Sequence, residues 1–240
     1  MNNKLTAALS LITIFALFFG IKLNNYITGK EILGDYTPVT SVVLTIKPVK
    51  SNIRPISAEP QLTSSLAGIR FNIPKTDTIN TFKLRDVYRS FYFRDKSKLK
   101  VFKDSVKTDY LKILTSLNKT GDDVIGDHLR QNKITTNFDL LLLAFKKTPA
   151  DISFFNLSKR NTIIQYTFLK LKDLCSMSGV EDGLHYFTLK NVKGFEFGNP
   201  AVSRSVILHI FVNETDEYTL VMTGLSQRKI DYIIQSIQSF

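Results

Sequence analysis

The most constraining feature of the sequence is a hydrophobic run close to its N-terminus. Residues Leu5–Ile21 are 17 consecutive uncharged, mainly apolar residues, a length at the short end of what a transmembrane helix needs. Lys22 can extend its ammonium group to the lipid headgroups, so that the span reaches Leu23. The sequence therefore predicts a membrane anchor within residues 1–24, with residues 5–23 in contact with the membrane.

A cleaved signal peptide is the alternative interpretation of this run. The run is longer than the usual hydrophobic region of a signal peptide, and no small-x-small pair follows it, because Phe18 precedes Gly20 by two positions. Lysines flank both ends of the run, so the positive-inside rule, which places the more positively charged flank in the cytoplasm, hardly favours either orientation. A very short N-terminal tail favours a cytoplasmic N-terminus, which predicts a single-pass membrane protein with an extracytoplasmic C-terminal domain.

The chain after the anchor is predicted to hold a tether over residues 25–40 and a single α+β domain over residues 41–240. Strand-like alternation lies near both ends of this domain, and helical periodicity lies in its middle. Strands are predicted over 41–47, 69–73, 83–102 (a hairpin turning at 95–97), 185–189, 193–197, 206–212 and 218–223. A long loop is predicted over 48–65, and a closing helix from Ser226 to Phe240. This order favours a mainly antiparallel sheet with a helical insertion and a C-terminal helix packed on the sheet.

Two segments of the chain resemble a known family. GIRFNIP at Gly68–Pro74 is similar to an early strand of PsbP-like and Mog-like domains. The ending at Ser205–Phe240 is similar to their last hairpin and closing helix. The helical middle and KGFEFGNP at Lys193–Pro200 look like parts of bacterial membrane-anchored proteins. The resemblance implies an α+β domain with an accessory or binding role, and it assigns no functional residue.

Motifs for catalysis and cofactors are missing from the sequence. A single Cys excludes a disulfide framework and a multi-cysteine metal cage. Thr28-Gly-Lys-Glu31 lacks the hydroxyl after lysine that a nucleotide-binding loop needs. The S-x-x-K and K-T-G patterns at 116–121 share one lysine, so they cannot face each other across a substrate. We therefore predict no catalytic residue and no cofactor, and favour a non-enzymatic protein.

Two clusters of acidic residues and histidine could offer ligands to a divalent metal. They are Asp122, Asp123, Asp127 and His128, and Glu181, Asp182 and His185. Both clusters are also typical of helix starts and turns, and that interpretation predicts no metal site. A metal-dependent hydrolase remains an alternative that requires the two clusters to meet in space. His209 is predicted to be a core or half-buried histidine.

The distribution of charge gives the clearest functional signal. Residues 83–112 carry ten basic and four acidic side chains, a net +6 out of the whole chain's +11, with aromatic residues interleaved. Arg94, Lys96, Lys98 and Lys100 are predicted to bind an anionic surface. The alternative is an edge strand whose lysines prevent aggregation.

Together these features predict a non-enzymatic, membrane-tethered accessory or binding module. Its predicted partners are the membrane and an anionic lipid, an envelope polymer or an acidic protein. A polyanion or nucleic-acid binder is an alternative, in which nucleic acid is less favoured because of the expected extracytoplasmic location.

Overall fold

A computed structural model describes residues 2–34, 38–47, 61–74, 78–85, 87–104, 109–117, 123–190, 192–213 and 216–240. The predicted α+β class is confirmed, with a mainly antiparallel sheet between an N-terminal apolar helix and a C-terminal helix. The helices are α1 (Asn2–Leu33), α2 (Tyr110–Leu117), α3 (Val124–Gln131), α4 (Asn137–Phe145), α5 (Lys159–Cys175) and α6 (Gln227–Ser236). The strands are β1 (Thr45–Ile46), β2 (Gln61–Leu66), β3 (Ile69–Pro74), β4 (Thr78–Leu84), β5 (Tyr88–Phe93), β6 (Lys98–Lys103), β7 (Leu184–Thr188), β8 (Val192–Phe197), β9 (Ser205–Val212), β10 (Asp216–Thr223) and β11 (Gln238–Ser239).

Eight strands form the large sheet in the order β1-β7-β8-β9-β10-β6-β5-β4. Among the described strands of this sheet, only the short pairing of β1 with β7 is parallel, and the other neighbours run antiparallel. A small second sheet has the order β11-β3-β2. Strand β6 follows β5 through a tight turn and then pairs with β10, which joins the early part of the chain to the late part.

The large sheet separates two hydrophobic cores. One face packs against the small sheet and α6, through residues that include Leu208, Leu220, Phe71 and Ile234. The other face packs against helices α2–α5, with Phe195, Phe197 and Phe211 of the sheet meeting Phe145 and Phe168 of the helices. The helical insertion therefore forms a layer of its own on one side of the sheet.

Local predictions differ from the structure in several places. The strand predicted at 41–47 is reduced to β1, because Pro38–Ser41 form a 3₁₀ turn. The loop predicted at 48–65 ends in β2, which forms a hairpin with β3, while residues 48–60 lie outside the described part of the chain. The closing helix stops at Ser236, because the residues after it form β11 on the free edge of β3.

Helix α1 is longer than the sequence predicts. Its part from Ser10 to Leu33 is long and apolar enough to cross a membrane. The sequence predicts a tether over 25–40, but residues 25–33 continue the helix. The last turns of the anchor therefore belong to the folded body of the protein.

These last turns pack against α5 and the 3₁₀ turn Phe154–Asn156. Lys22 Nζ and Asn25 Nδ2 both donate hydrogen bonds to the carbonyl oxygen of Leu157, at 2.6 and 3.3 Å. Gly29 allows the close approach of the Tyr166 ring, which a Cβ at that position would overlap. The anchor is thus fixed to the helical layer of the domain.

Lys172 on α5 is fully buried and ties three segments together. Its ammonium group donates to the carbonyl oxygens of Thr40, Val42 and Lys147. Burial lowers the pKa of Lys172 to about 8, although the negative charge of Asp151 opposes this shift. The carbonyl groups satisfy the ammonium's hydrogen bonds without supplying a full opposite charge.

This lysine should make folding stability depend on pH. Below about pH 8 the folded and unfolded states both hold the proton, and between about 8 and 10.5 only the unfolded state keeps it. Stability should therefore rise over this window by up to about 3 kcal/mol. Urea unfolding of the full chain in neutral detergent should show this rise relative to Lys172→Met, and parallel pH profiles for the two proteins would refute it.

Candidate functional site

The four predicted site residues lie on one ribbon, formed by β5, β6 and the turn between them. Arg94 and Lys96 are exposed in the turn, Lys98 is exposed on β6, and Lys100 is half-buried two residues later. The predicted hairpin with its turn at 95–97 is confirmed, but its first strand begins at Tyr88 and not at Lys83. Lys83 and Leu84 instead end β4, a third strand beside β5.

Asp95 fixes the turn of this ribbon to the body of the domain. Its carboxylate accepts hydrogen bonds from the Ser97 backbone at 3.0 Å and from Lys229 Nζ of α6 at 2.8 Å. Partial burial opposes ionisation, but the bonds from Lys229 and Ser97 hold the pKa of Asp95 at about 2. The basic residues of the turn are therefore presented from a rigid support.

The position of β6 rules out edge protection as the reason for its lysines. Strand β6 has β10 on one side and β5 on the other, so it lies inside the sheet. The edge strand at this end of the sheet is β4, whose outer side is unpaired in the described part of the chain. Lys98 and Lys100 therefore need another explanation.

We call the helix-side surface of β4, β5 and β6 the open face. Residues directly opposite each other in a sheet project from the same side. Phe82, Ser90 and Lys100 form one such row, and Tyr92 lies opposite Lys98 in the next. Phe82 is 53% exposed, so the helical layer leaves this end of the sheet open to solvent.

Aromatic rings run across the open face beside the lysines. The rings of Phe82 and Tyr88 are 6.1 Å apart, and those of Tyr88 and Phe102 are 4.9 Å apart. Lys98 Nζ lies 5.4 Å from the centre of the Tyr92 ring. The open face thus combines exposed apolar surface with positive charge.

A buried cluster of ionisable residues lies where the open face meets the helical layer. Asp104 follows β6, His209 is on β9 and Glu217 is on β10. One potential ligand atom from each lies within 4.8 Å of the others. His209 and Glu217 are each only 4% exposed. We call these three residues the Asp-His-Glu cluster.

Hydrogen bonds from both layers position this cluster. Asn137, at the start of α4, donates from Nδ2 to Glu217 Oε1 at 2.8 Å. The Tyr110 hydroxyl of α2 lies 3.5 Å from Glu217 Oε2. His209 Nε2 lies 3.4 Å from Glu217 Oε2, but it has no hydrogen-bond partner among the described residues.

The environment of Asp104 disfavours its ionised form. Burial raises its pKa above the ordinary value, and the neighbouring Glu217 charge raises it further, while His209 acts in the opposite direction. The backbone also fixes Asp104, because its N–H donates to the Glu217 carbonyl at 2.9 Å. Two carboxylates and an imidazole are therefore held together with little solvent around them.

The two acidic clusters singled out from the sequence do not combine into a ligand set within the described residues. Asp123 and Asp127 both bind Arg130 at 2.7 Å, and the His128 ring packs against Phe168. Asp122 lies outside the described residues. In the other cluster, Asp182 accepts from Ser203 Oγ, and His185 contacts Thr45 Oγ1.

Sequence reasoning missed the Asp-His-Glu cluster. His209 is buried, as predicted, but its two acidic neighbours come from separate strands. The alternation of β10 offered one signal, because it places Glu217 on the same side as Thr219 and Val221, facing the helical layer.

No protein-family profile matches this chain, and no curated protein gives a significant match to it. The resemblance of Gly68–Pro74 and Ser205–Phe240 to PsbP-like domains therefore stays a prediction. Gly68–Pro74 corresponds to β3 and the turn residue before it. Ser205–Phe240 contains β9, β10, α6 and β11.

Proposed function

We propose that this chain is a non-enzymatic accessory module, anchored in a membrane by α1, that binds an acidic protein partner on its open face. The observation that carries the proposal is the uncovered end of the large sheet, where exposed apolar side chains lie beside lysines. We further propose that the domain lies outside the cytoplasm, the orientation expected from the sequence.

The composition of the open face supports a protein as the partner. Phe82 and Leu84 on the edge strand are each 53% exposed, and contiguous exposed apolar residues are typical of protein-binding surfaces. The unpaired side of β4 can also accept a strand from a partner. A purely polyanionic ligand would use the lysines and leave these aliphatic and aromatic groups without a role.

The charge of the ribbon supports an acidic partner over a second copy of this chain. Two copies that joined through their open faces would bring their lysines close together, and like charges at an interface oppose association. A partner with carboxylates opposite Lys98 and Lys100 would gain attraction instead.

The docking of α1 argues against the bilayer surface as the ligand of the ribbon. The anchor packs on α5 and the 3₁₀ turn Phe154–Asn156, and the chain then enters the large sheet at β1, at the end opposite to β4. Strand β6 lies five positions from β1, or about 24 Å at the usual strand spacing. This separation from the docked anchor favours a partner other than the lipid headgroups.

The test measures binding of an acidic polypeptide to the full-length protein in nanodiscs of neutral lipid. Poly-L-glutamate labelled with a fluorophore is the probe, and its affinity is measured at low and physiological salt. The variant Lys98→Glu with Lys100→Glu should bind about tenfold more weakly, because two attractive charges become repulsive. A Phe82→Ser variant should bind a labelled copolymer of glutamate and tyrosine more weakly but polyglutamate equally well, since apolar contact is part of the proposed surface.

Lys190→Glu with Arg204→Glu is the matched control, because it changes the net charge equally at exposed positions outside the ribbon. This control should bind within about twofold of the wild type. Equal losses in both double variants would mean that net charge alone attracts the probe, and would contradict the proposal. Preference for anionic vesicles or polyphosphate over polyglutamate would also contradict it.

A further inference from the structure

We propose that the Asp-His-Glu cluster binds one divalent transition-metal ion, with Asp104, His209 and Glu217 as its protein ligands. One imidazole and two carboxylates suit Zn²⁺ or Mn²⁺ better than Mg²⁺ or Ca²⁺, which prefer oxygen ligands alone. Metal binding at this site does not depend on partner binding on the open face. The site lies where the helical layer covers the sheet.

The backbone holds the three ligands close to the spacing that a metal requires. Their strands are neighbours in the order β9-β10-β6, and Thr219 of β10 pairs directly with His209. Thr219 Oγ1 also lies 3.4 Å from Asp104 Oδ2. Ligand atoms around tetrahedral zinc are about 3.4 Å apart, so donors within 4.8 Å need only small side-chain movements.

The unsatisfied nitrogen of His209 points to a ligand. Its Nε2 is buried and lacks a hydrogen-bond partner among the described residues, although it is directed into the group of carboxylates. Buried polar atoms of this kind are uncommon, because each one loses its hydration without compensation. A metal ion between Nε2 and the carboxylate oxygens would satisfy all three groups.

Neighbouring side chains supply the outer support that metal sites commonly have. Asn137 and Tyr110 both contact Glu217, and such bonds orient a ligating carboxylate.

The test uses full-length protein in neutral-lipid nanodiscs after removal of metals with a chelator. Calorimetric titration with Zn²⁺ should show one equivalent bound, and Zn²⁺ should raise the melting temperature. His209→Gln and Glu217→Gln should each weaken binding at least tenfold and abolish the thermal shift. The control His128→Gln, from the separate acidic cluster on α3, should bind as the wild type does.

X-ray absorption of the wild-type protein loaded with one equivalent of Zn²⁺ gives a result that does not depend on the folding of variants. A shell of nitrogen and oxygen at about 2.0–2.1 Å with one imidazole is expected. The absence of an imidazole from the shell would overturn the proposal. So would an absence of binding, or equal binding by wild type, His209→Gln and Glu217→Gln.

Discussion

Replacing Lys47 with methionine is expected to lower the free energy of unfolding by about 3–5 kcal/mol. Lys47 Nζ forms an ion pair with Glu196, whose side chain on β8 is only 1% exposed, and a second one with Asp231 of α6 at 2.7 Å. Without Lys47, the Glu196 carboxylate would remain buried without its cation. Urea unfolding of the full chain in detergent measures the loss.

A double-mutant cycle separates this effect from a general loss of packing. Glu196→Gln combined with Lys47→Met should recover at least half of the loss, because no unpaired charge then remains buried. Lys190→Met, at an exposed position, should change stability by less than about 0.5 kcal/mol. A double variant that is as unstable as the sum of both single variants would show that the pair is not coupled.

Truncating Ile234 to alanine is expected to cost about 2–4 kcal/mol, through lost burial and the cavity left behind. Ile234 is 1% exposed on α6 and belongs to the core between the large sheet and the small sheet. Gln235, its neighbour in the chain, is only half-buried, and Gln235→Ala should have little effect. Thermal unfolding of both variants makes the comparison, and equal shifts would mean that α6 does not pack in this way.

Local sequence patterns were sufficient where a segment's conformation depends on its own residues. The alternation of β9 and β10 and the periodicity of α6 were visible in the sequence and are confirmed. The start of α4 is equally local, since the Thr136 side chain accepts a hydrogen bond from the Asp139 backbone.

Predictions failed where distant segments decide the structure. Strand β11 exists because β3, far away in the chain, offers a free edge to it. The expected tether instead continues α1, because the carbonyl of Leu157 and the ring of Tyr166 provide a docking surface for its last turns. Neither partner can be identified from the residues of the segment itself.

The candidate site, too, was predictable only where it depends on local sequence. The concentration of charge around Lys98 and Lys100 could be counted from the sequence, but their position inside the sheet could not. The Asp-His-Glu cluster depends on the order of three strands, so no fixed spacing in the sequence could reveal it.

Site-specific photo-crosslinking in intact cells tests the central claim most directly. A photoreactive amino acid replaces Phe82 on the open face, or Val202, which is 69% exposed outside it, in the full-length protein. We expect a covalent adduct with an acidic protein from position 82 that Lys98→Glu with Lys100→Glu abolishes, and no such adduct from position 202. An adduct with lipid, equal adducts from both positions or the absence of a protein adduct from position 82 would contradict it.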